Sequence, residues 1–388
     1  MNRIIDLANS DNTTQIMRTA SCPCSDADAV EKLARALSVE DLELVTLFLS
    51  ADADLDTILS KARTAFAPAL LVGCTTAGEL SEQGYSEGEI VAVGFPASHF
   101  KATTLLIDDL EGFAPQPVID NTIRNRNHLR NLEPEWESEF AFLLVDGLSL
   151  REDQLTSQLA LGLGSVPLFG GSAADGSNFE RTFVVHQDGV YSNAAVLTQI
   201  RTRCPVKVFK FDHLMPTEQR MVVTGANPAQ RLVHEINAEP AAREYARVLG
   251  KDPEQLTTFT FAAHPVVVRI GDQHHVRSIQ HVAPNGDLVF FSAIDEGVVL
   301  TLAEPDDMVA HLRREMDALR SNGTPDMILG CDCILRRLEA QQKQMTNALS
   351  GILSENRVIG FSTYGEQVNS MHVNQTLTGV AIYPPDPK

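Results

Sequence analysis

Three short apolar runs, at 45–49, 140–145 and 327–329, are each followed by a stretch of helical period and then by a second apolar run. That second run leads each time into a Gly- and hydroxyl-rich turn. Two of the turns are near copies: Gly73-Cys74-Thr75-Thr76-Ala77-Gly78-Glu79 and Gly360-Phe361-Ser362-Thr363-Tyr364-Gly365-Glu366. A looser third copy has a helix at 152–163, a strand at 166–169 and the turn Gly170-Gly171-Ser172-Ala173-Ala174-Asp175-Gly176. The pattern predicts repeated βαβ units, with Thr75 and Ser362 at equivalent positions. Parallel strands joined by a crossover end at the same sheet edge, so the turns are expected at carboxyl ends of strands, where open α/β sheets place ligands.

Between the repeats, 90–95 and 183–186 read as hairpin strands, the latter reaching the turn signal Asp188-Gly189. The segment 221–223 and the breaker Gly225-Ala226-Asn227-Pro228 mark a junction. A helix at 240–249 follows, then strands at 259–263, 265–270 and 288–292, separated by Gly271-Asp272 and Asn285-Gly286, and a closing strand at 376–382. The expected class is α/β, mixed α and β, with repeated βαβ units on mixed sheets and two related domains at 19–225 and 226–382.

Composition narrows the partners. The 388 residues are 44% hydrophobic and 21% charged, enough for two cores, and the formal net charge is −20. That charge argues against nucleic acid and anionic membrane, which need a basic footprint. The short run Arg124, Arg126, Arg130 is cancelled by Glu133, Glu135, Glu137 and Glu139. Residues 1–15 lack the basic and apolar regions of a secretory signal, and no stretch approaches a membrane span, so a cytoplasmic protein is expected. The oligomeric state is left open, a homodimer included.

The six cysteines are expected as reduced thiols. Cys22-Pro23-Cys24 and Cys331-Asp332-Cys333 are C-x-C pairs, a spacing that permits metal binding at Cys331 and Cys333 but lacks the C-x-x-C of a zinc ribbon. Cys331 is expected just after the 327–329 strand, facing the edge that carries the turns. Neither a P-loop, a complete G-x-G-x-x-G nor a G-x-S-x-G elbow is present. An enzyme built on Cys74 or a turn hydroxyl is the alternative to a non-catalytic protein.

Cys74, Thr75, Thr76, Gly171, Ser172, Ser362, Thr363 and Glu366 are the candidate ligand-binding residues of the turns. Glycines allow close backbone approach, successive N–H groups form anion nests, and hydroxyls add donors and acceptors. The same glycines also serve tight strand exits, and the residues leave both readings open.

The segments Val72 to Glu79, Phe169 to Gly176 and Gly360 to Gln367, the last followed by His372-Val373-Asn374-Gln375-Thr376-Leu377-Thr378, resemble the FIST sensory family, N-terminal and C-terminal domains in order. Ala263-His264-Pro265-Val266-Val267-Val268-Arg269-Ile270, Val276 to Gln280 and Ala293 to Gly297 are similar to its NosP group of haem-containing, nitric-oxide-sensing proteins. The resemblance implies a stand-alone sensor that binds nitric oxide or another small ligand and acts by contact on a histidine kinase, with phosphorelay, cyclic-di-GMP and biofilm control downstream. It further implies haem, of b type because no C-x-x-C-H is present. His264 is then the expected iron ligand, Arg269 and Arg277 the propionate partners and His372 the second choice of ligand. A small amino-acid-like signal at the turns, without haem, is the alternative within the same class.

Overall fold

The computed structural model describes residues 15–187, 189–271, 273–321 and 323–385. Residues 1–14, expected to carry no secretory signal, and the turn residues Asp188 and Asp272 lie outside them.

The body is one topology repeated three times. The first repeat runs β1 (Arg18–Pro23), α1 (Ala29–Leu37), β2 (Leu42–Ser50), α2 (Leu55–Ala65), β3 (Leu70–Thr76), β4 (Glu79–Ser81), β5 (Gly84–Ser86) and β6 (Glu89–Pro96). The second runs β7 (Phe100–Ile107), α3 (Pro115–Leu132), β8 (Ser138–Val145), α4 (Glu152–Leu163), β9 (Leu168–Ser172), β10 (Val184–His186), β11 (Gly189–Tyr191) and β12 (Ala195–Thr202). The third opens with β13 (Val206–Phe211) and is interrupted by an inserted unit: β14 (Leu214–Asn227), β15 (Leu232–Ile236), β16 (Glu239–Pro240), α5 (Ala241–Leu249), α6 (Thr258–Ala263), β17 (Val266–Ile270), β18 (Gln273–Val276), β19 (Ile279–Val282), β20 (Leu288–Phe290) and β21 (Val299–Pro305). It resumes with α7 (Met308–Arg320), β22 (Met327–Cys333), α8 (Ile334–Gln342), α9 (Thr346–Glu355), β23 (Val358–Thr363), β24 (Glu366–Val368), β25 (Met371–Val373) and β26 (Leu377–Ile382).

Each repeat builds a six-stranded sheet and lends a hairpin to another repeat. The orders are β1-β6-β2-β3-β10-β11, β7-β12-β8-β9-β24-β25 and β13-β26-β22-β23-β4-β5. The first repeat's hairpin joins the third sheet, the third's joins the second and the second's joins the first, so the exchange closes on itself. The class is mixed α/β as the apolar pattern predicts. The parallel pairs keep one register: Leu47 faces Gly73, Leu143 faces Gly170 and Gly330 faces Gly360. Thr75, Ser172 and Ser362 therefore occupy one equivalent position. A Cβ at Gly73, Gly170 or Gly360 would collide with the carbonyl oxygen of the residue facing it, which explains the glycine in all three copies.

The inner sheet faces meet in an aromatic centre supplied by all three repeats. Phe48 stacks on Phe361 at 4.7 Å and Phe142 on Phe169 at 4.8 Å, with Phe48 edge-on to Phe142 at 6.4 Å. Helices cover the outer faces, α1 and α2 on the first sheet, α3 and α4 on the second, α7 and α9 on the third. Among the described residues no helix is long and apolar enough to cross a membrane.

Three local expectations change. The 259–263 segment is helix α6, started by a reciprocal capping box between Thr257 and Thr260, and local capping outweighs the β propensity of its Phe and Thr residues. Strand β22 continues through Cys333, so Cys331 and Cys333 lie within a strand and not beyond it. Gly225 does not break the chain: β14 runs through it, the glycine sitting at a register shift opposite Glu235. The 225/226 boundary thus falls inside a strand of the inserted unit.

Candidate functional site

The three turns bind one another around the centre. Ala77 N donates to Ser362 O at 2.9 Å and Ser362 N to Gly78 O at 2.7 Å. Ser172 N donates to Gly365 O at 2.8 Å, and Thr363 Oγ1 to Ser172 O at 2.6 Å. Ala174 N donates to Thr75 O at 2.9 Å, and Thr75 N to Phe183 O at 3.0 Å. Each turn's polar groups are largely consumed by its neighbour, and Thr75, Ser172, Ser362, Thr363 and Glu366 are buried.

One opening persists at this edge. A cavity of about 310 Å³ is bounded by 50–52 after β2, 76–78 after β3, 87–88 after β5, 175–178 after β9, and Ile334, Arg337, Leu338 and Gln341 of α8. All three repeats contribute to it. The i, i+3, i+4, i+7 spacing sets the four α8 side chains on one helical face. A second cavity, of about 340 Å³, lies at the amino end of β3 among Ala62, Arg63, Phe66 and Leu71, away from the turns. Open α/β sheets bind ligands at the carboxyl edge, which favours the smaller cavity.

Its chemistry is polar and charged. The Arg337 side chain, 6% exposed, donates through Nη2 to Ser86 O at 2.8 Å and Glu87 Oε1 at 2.9 Å, and through Nη1 to Ser362 Oγ at 3.3 Å. Gly78 has φ +112°, and its ideal Cβ would overlap this guanidinium, so backbone and packing both require glycine. Asp175 accepts backbone N–H bonds from Phe179, Glu180 and Arg181, each 2.8–2.9 Å, together with the Tyr364 hydroxyl. Beneath the cavity Thr76 Oγ1 donates to Glu79 Oε1 at 2.5 Å. Burial pushes the Glu79 carboxyl up to about 7, against the lowering pull of the Thr76 and Glu89 hydrogen bonds and of Arg337.

Of the turn residues singled out by the sequence, Thr76 lines this cavity. Thr75 Oγ1 accepts from Phe183 N at 3.1 Å, and Ser172 Oγ from Gln367 Nε2 at 2.9 Å. Gly171 packs against the Phe361 ring, Thr363 Oγ1 and the Cβ of Cys331. Glu366 Oε2 accepts from Thr376 N at 3.1 Å and Oγ1 at 2.6 Å, and burial raises its carboxyl far above the ordinary range. Cys74, Cys331 and Cys333 are fully buried free thiols whose pKa burial raises well above normal. Among the described residues no group of three or more His, Cys, Asp or Glu side chains is placed to hold a metal ion.

The histidines are separated. His264 caps the end of α6, half-buried, and burial lowers its pKa; the charges acting on it are Lys251, Glu304 and Lys343. His372 is wholly buried on β25, its ring occupying the space a Cβ on Gly365 would take. Burial lowers its pKa too, under the charges of Glu152, Asp153, Arg231 and Arg277. Arg277 thus belongs electrostatically with His372, while Arg269 is exposed on β17 and donates to Gly271 O at 3.0 Å. Neither described cavity has a histidine in its lining.

Asp175 and Gly176 close the looser third turn read from the sequence, whereas Arg337, Ser177 and Asn178 have no counterpart in that reading. Arg337 belongs to a helix of the third repeat that meets a turn of the first, a contact no local pattern contains. The 334, 337, 338, 341 spacing directly after the Cys331-Asp332-Cys333 strand end was the available signal.

Fold and cavity together define a three-repeat mixed α/β protein with a polar cavity where the βαβ turns converge. The FIST N domain matches residues 43–239 and the FIST C domain residues 241–369. The chain belongs to the FIST family, whose domains are sensory and bind small ligands. No curated protein matches it.

Proposed function

We propose that this protein is a cytoplasmic, non-catalytic sensor that holds a small, polar, amino-acid-like molecule in the cavity at Thr76, Gly78 and Arg337 and signals by contact with a partner. The observation that carries this reading is the cavity itself, which all three repeats bound, so that an occupant touches each of them. The buried thiol of Cys74, held protonated, favours binding over nucleophilic catalysis, and six unpaired cysteines favour a reducing compartment. Thermal unfolding against a panel of amino acids and small polar metabolites tests it. At least one should raise the midpoint for the wild type but not for Gln341→Trp, which crowds the cavity mouth from an exposed position. Equal effects on both proteins, or none on either, would reject the site.

A second reading, drawn from the NosP resemblance, is a haem b protein that senses nitric oxide and regulates a histidine kinase. His264 is the observation in its favour: burial keeps the half-buried imidazole neutral, the form that binds iron. His372 fits less well, because its ring is wholly buried and packed on Gly365. When bound, haem would supply an iron for a diatomic gas, with His264 holding it. A Soret band on haem addition, lost in His264→Ala and kept in His372→Ala, supports this reading. Kinase autophosphorylation that is unchanged with either form of the protein removes the kinase.

A further inference from the structure

Arg337 and Glu87 form an ion pair of unequal partners. The guanidinium is buried, held by Ser86 O and Ser362 Oγ, and lies over the Tyr85 ring with Cζ 5.2 Å from the centroid. The Glu87 side chain is 72% exposed and reaches Arg337 through Oε1, with the second carboxylate oxygen left over. It stands between β5 and β6 beside Gly88, which has φ +73° and open space where a side chain would be. Both charged residues border the cavity.

A buried arginine cannot lose its proton and is costly to leave unpaired, so a carboxylate must stay near it. Nothing in the geometry requires that carboxylate to be Glu87. An exposed pair with one oxygen engaged contributes little, whereas the guanidinium fork accepts a carboxylate through two parallel bonds. The other acids of the lining are placed differently: Asp175 is saturated by three backbone N–H groups and Tyr364, and Asp52 is exposed on the turn after β2.

The geometry points to Glu87 as an internal stand-in for the carboxylate of the ligand. The ligand takes Arg337 from Glu87, whose side chain turns to solvent, while Ser86 O keeps its bond from Arg337 and Gly88 O its bond from Cys24 N. This deepens the small-ligand reading and rests on it. The ligand class is a small molecule bearing a free carboxylate, and Glu87 weakens its binding by competition, setting the concentration at which the sensor responds.

Calorimetric titration of wild type, Glu87→Ala and Arg337→Lys with glycine, L-alanine, L-glutamate and succinate tests it, with methylamine and glycerol as carboxylate-free controls. Any carboxylate that binds wild type should bind Glu87→Ala about two- to fivefold more tightly, the scale of an exposed ion pair, and Arg337→Lys more weakly. Unchanged affinity in Glu87→Ala overturns the stand-in while leaving the ligand site standing. Binding of the carboxylate-free controls alone overturns the ligand class. No binding of any probe to wild type or to Glu87→Ala overturns both readings.

Discussion

Arg336 Nη1 donates to Nδ1 of His213 at 2.8 Å, which fixes the tautomer of a wholly buried imidazole. Arginine has no acceptor to offer, so Nδ1 must present its lone pair. The ring proton is then on Nε2, which donates to Glu339 Oε2 at 3.0 Å. The chain of bonds extends from Tyr85 through Asp332 to Arg336, and from Glu339 to Lys343. His213 also stands where the chain leaves β13 for the inserted unit, its carbonyl accepting from Asp306 N at 2.7 Å on the return crossing. Helix α8 therefore lines the cavity with one face and grips the root of the inserted unit with another.

His213 should accordingly be neutral and Nε2-protonated, a state visible in its ring nitrogen shifts. Burial lowers its pKa, outweighing the raising pull of Glu339. The sign follows: the unfolded chain takes up this proton first on acidification, so the contribution to stability is complete above the ordinary histidine pKa of about 6.5 and declines as pH falls below it. His213→Ala should cost about 2–4 kcal/mol in urea unfolding, because Glu339 and Arg336 each lose a buried hydrogen-bond partner while keeping Lys343 and Asp332. A cost within the range of an ordinary surface substitution would show that the network carries no net stability.

The inserted unit is latched to the body by a second buried pair. Arg231 Nη2 reaches Glu152 Oε2 at 2.6 Å and Asp153 Oδ2 at 3.2 Å, and Asp153 also accepts from Ala293 N at 3.1 Å. Arg231→Ala should destabilise the protein by about 3–5 kcal/mol and raise hydrogen exchange at the α4 end and in 291–293. A double variant, Arg231→Met with Glu152→Gln, should recover part of the loss. If the single and double variants lose equally, charge pairing is not what holds the unit.

The strand–helix–strand repeats were legible because their period is local. Helix α4 spans Glu152–Leu163, the same bounds the apolar pattern predicts. The hairpin exchange was not legible. Strands β4 and β5 have three residues each, too few for a period, and their partner is β23, where Gly360 faces Leu80. Strand pairing at that distance is set by which edge is free, and no window of sequence records it. The site followed the same division: Thr76 was read from its own turn, while Arg337 acquires its role from a turn more than two hundred residues away in the chain.

Gly78→Ala should be costly at a position that an exposed turn would tolerate. The substitution forces a Cβ into φ +112° and against the Arg337 guanidinium, two independent penalties at one atom. The expected loss is about 2–4 kcal/mol, from a strained backbone and a displaced buried charge. Gly176→Ala provides the comparison, since its φ is also positive, +69°, but its surroundings are open, so backbone strain acts alone. Equal losses in the two variants would mean that Arg337 moves aside freely.

Glu79 ties the cavity to pH. Its carboxyl titrates at about 7, well above the ordinary carboxylate value, because burial disfavours the charge more than Thr76, the Glu89 N–H and Arg337 support it. A raised carboxyl pKa means that the folded protein holds a proton the unfolded chain has released. Stability from this group is therefore complete below the ordinary value of about 4.3 and is lost as pH rises toward 7. The difference amounts to roughly 3–4 kcal/mol. Glu79→Gln keeps the volume and an acceptor for the Thr76 hydroxyl while removing the proton, so its unfolding free energy should change less between pH 5 and 8 than that of wild type. Above pH 7 the charge that appears on Glu79 lies near Arg337 and competes for its field with any bound carboxylate. Affinity for a carboxylate probe should therefore fall between pH 6 and pH 8 in the wild type and stay level in Glu79→Gln. A parallel fall in both proteins would assign the titration to another group.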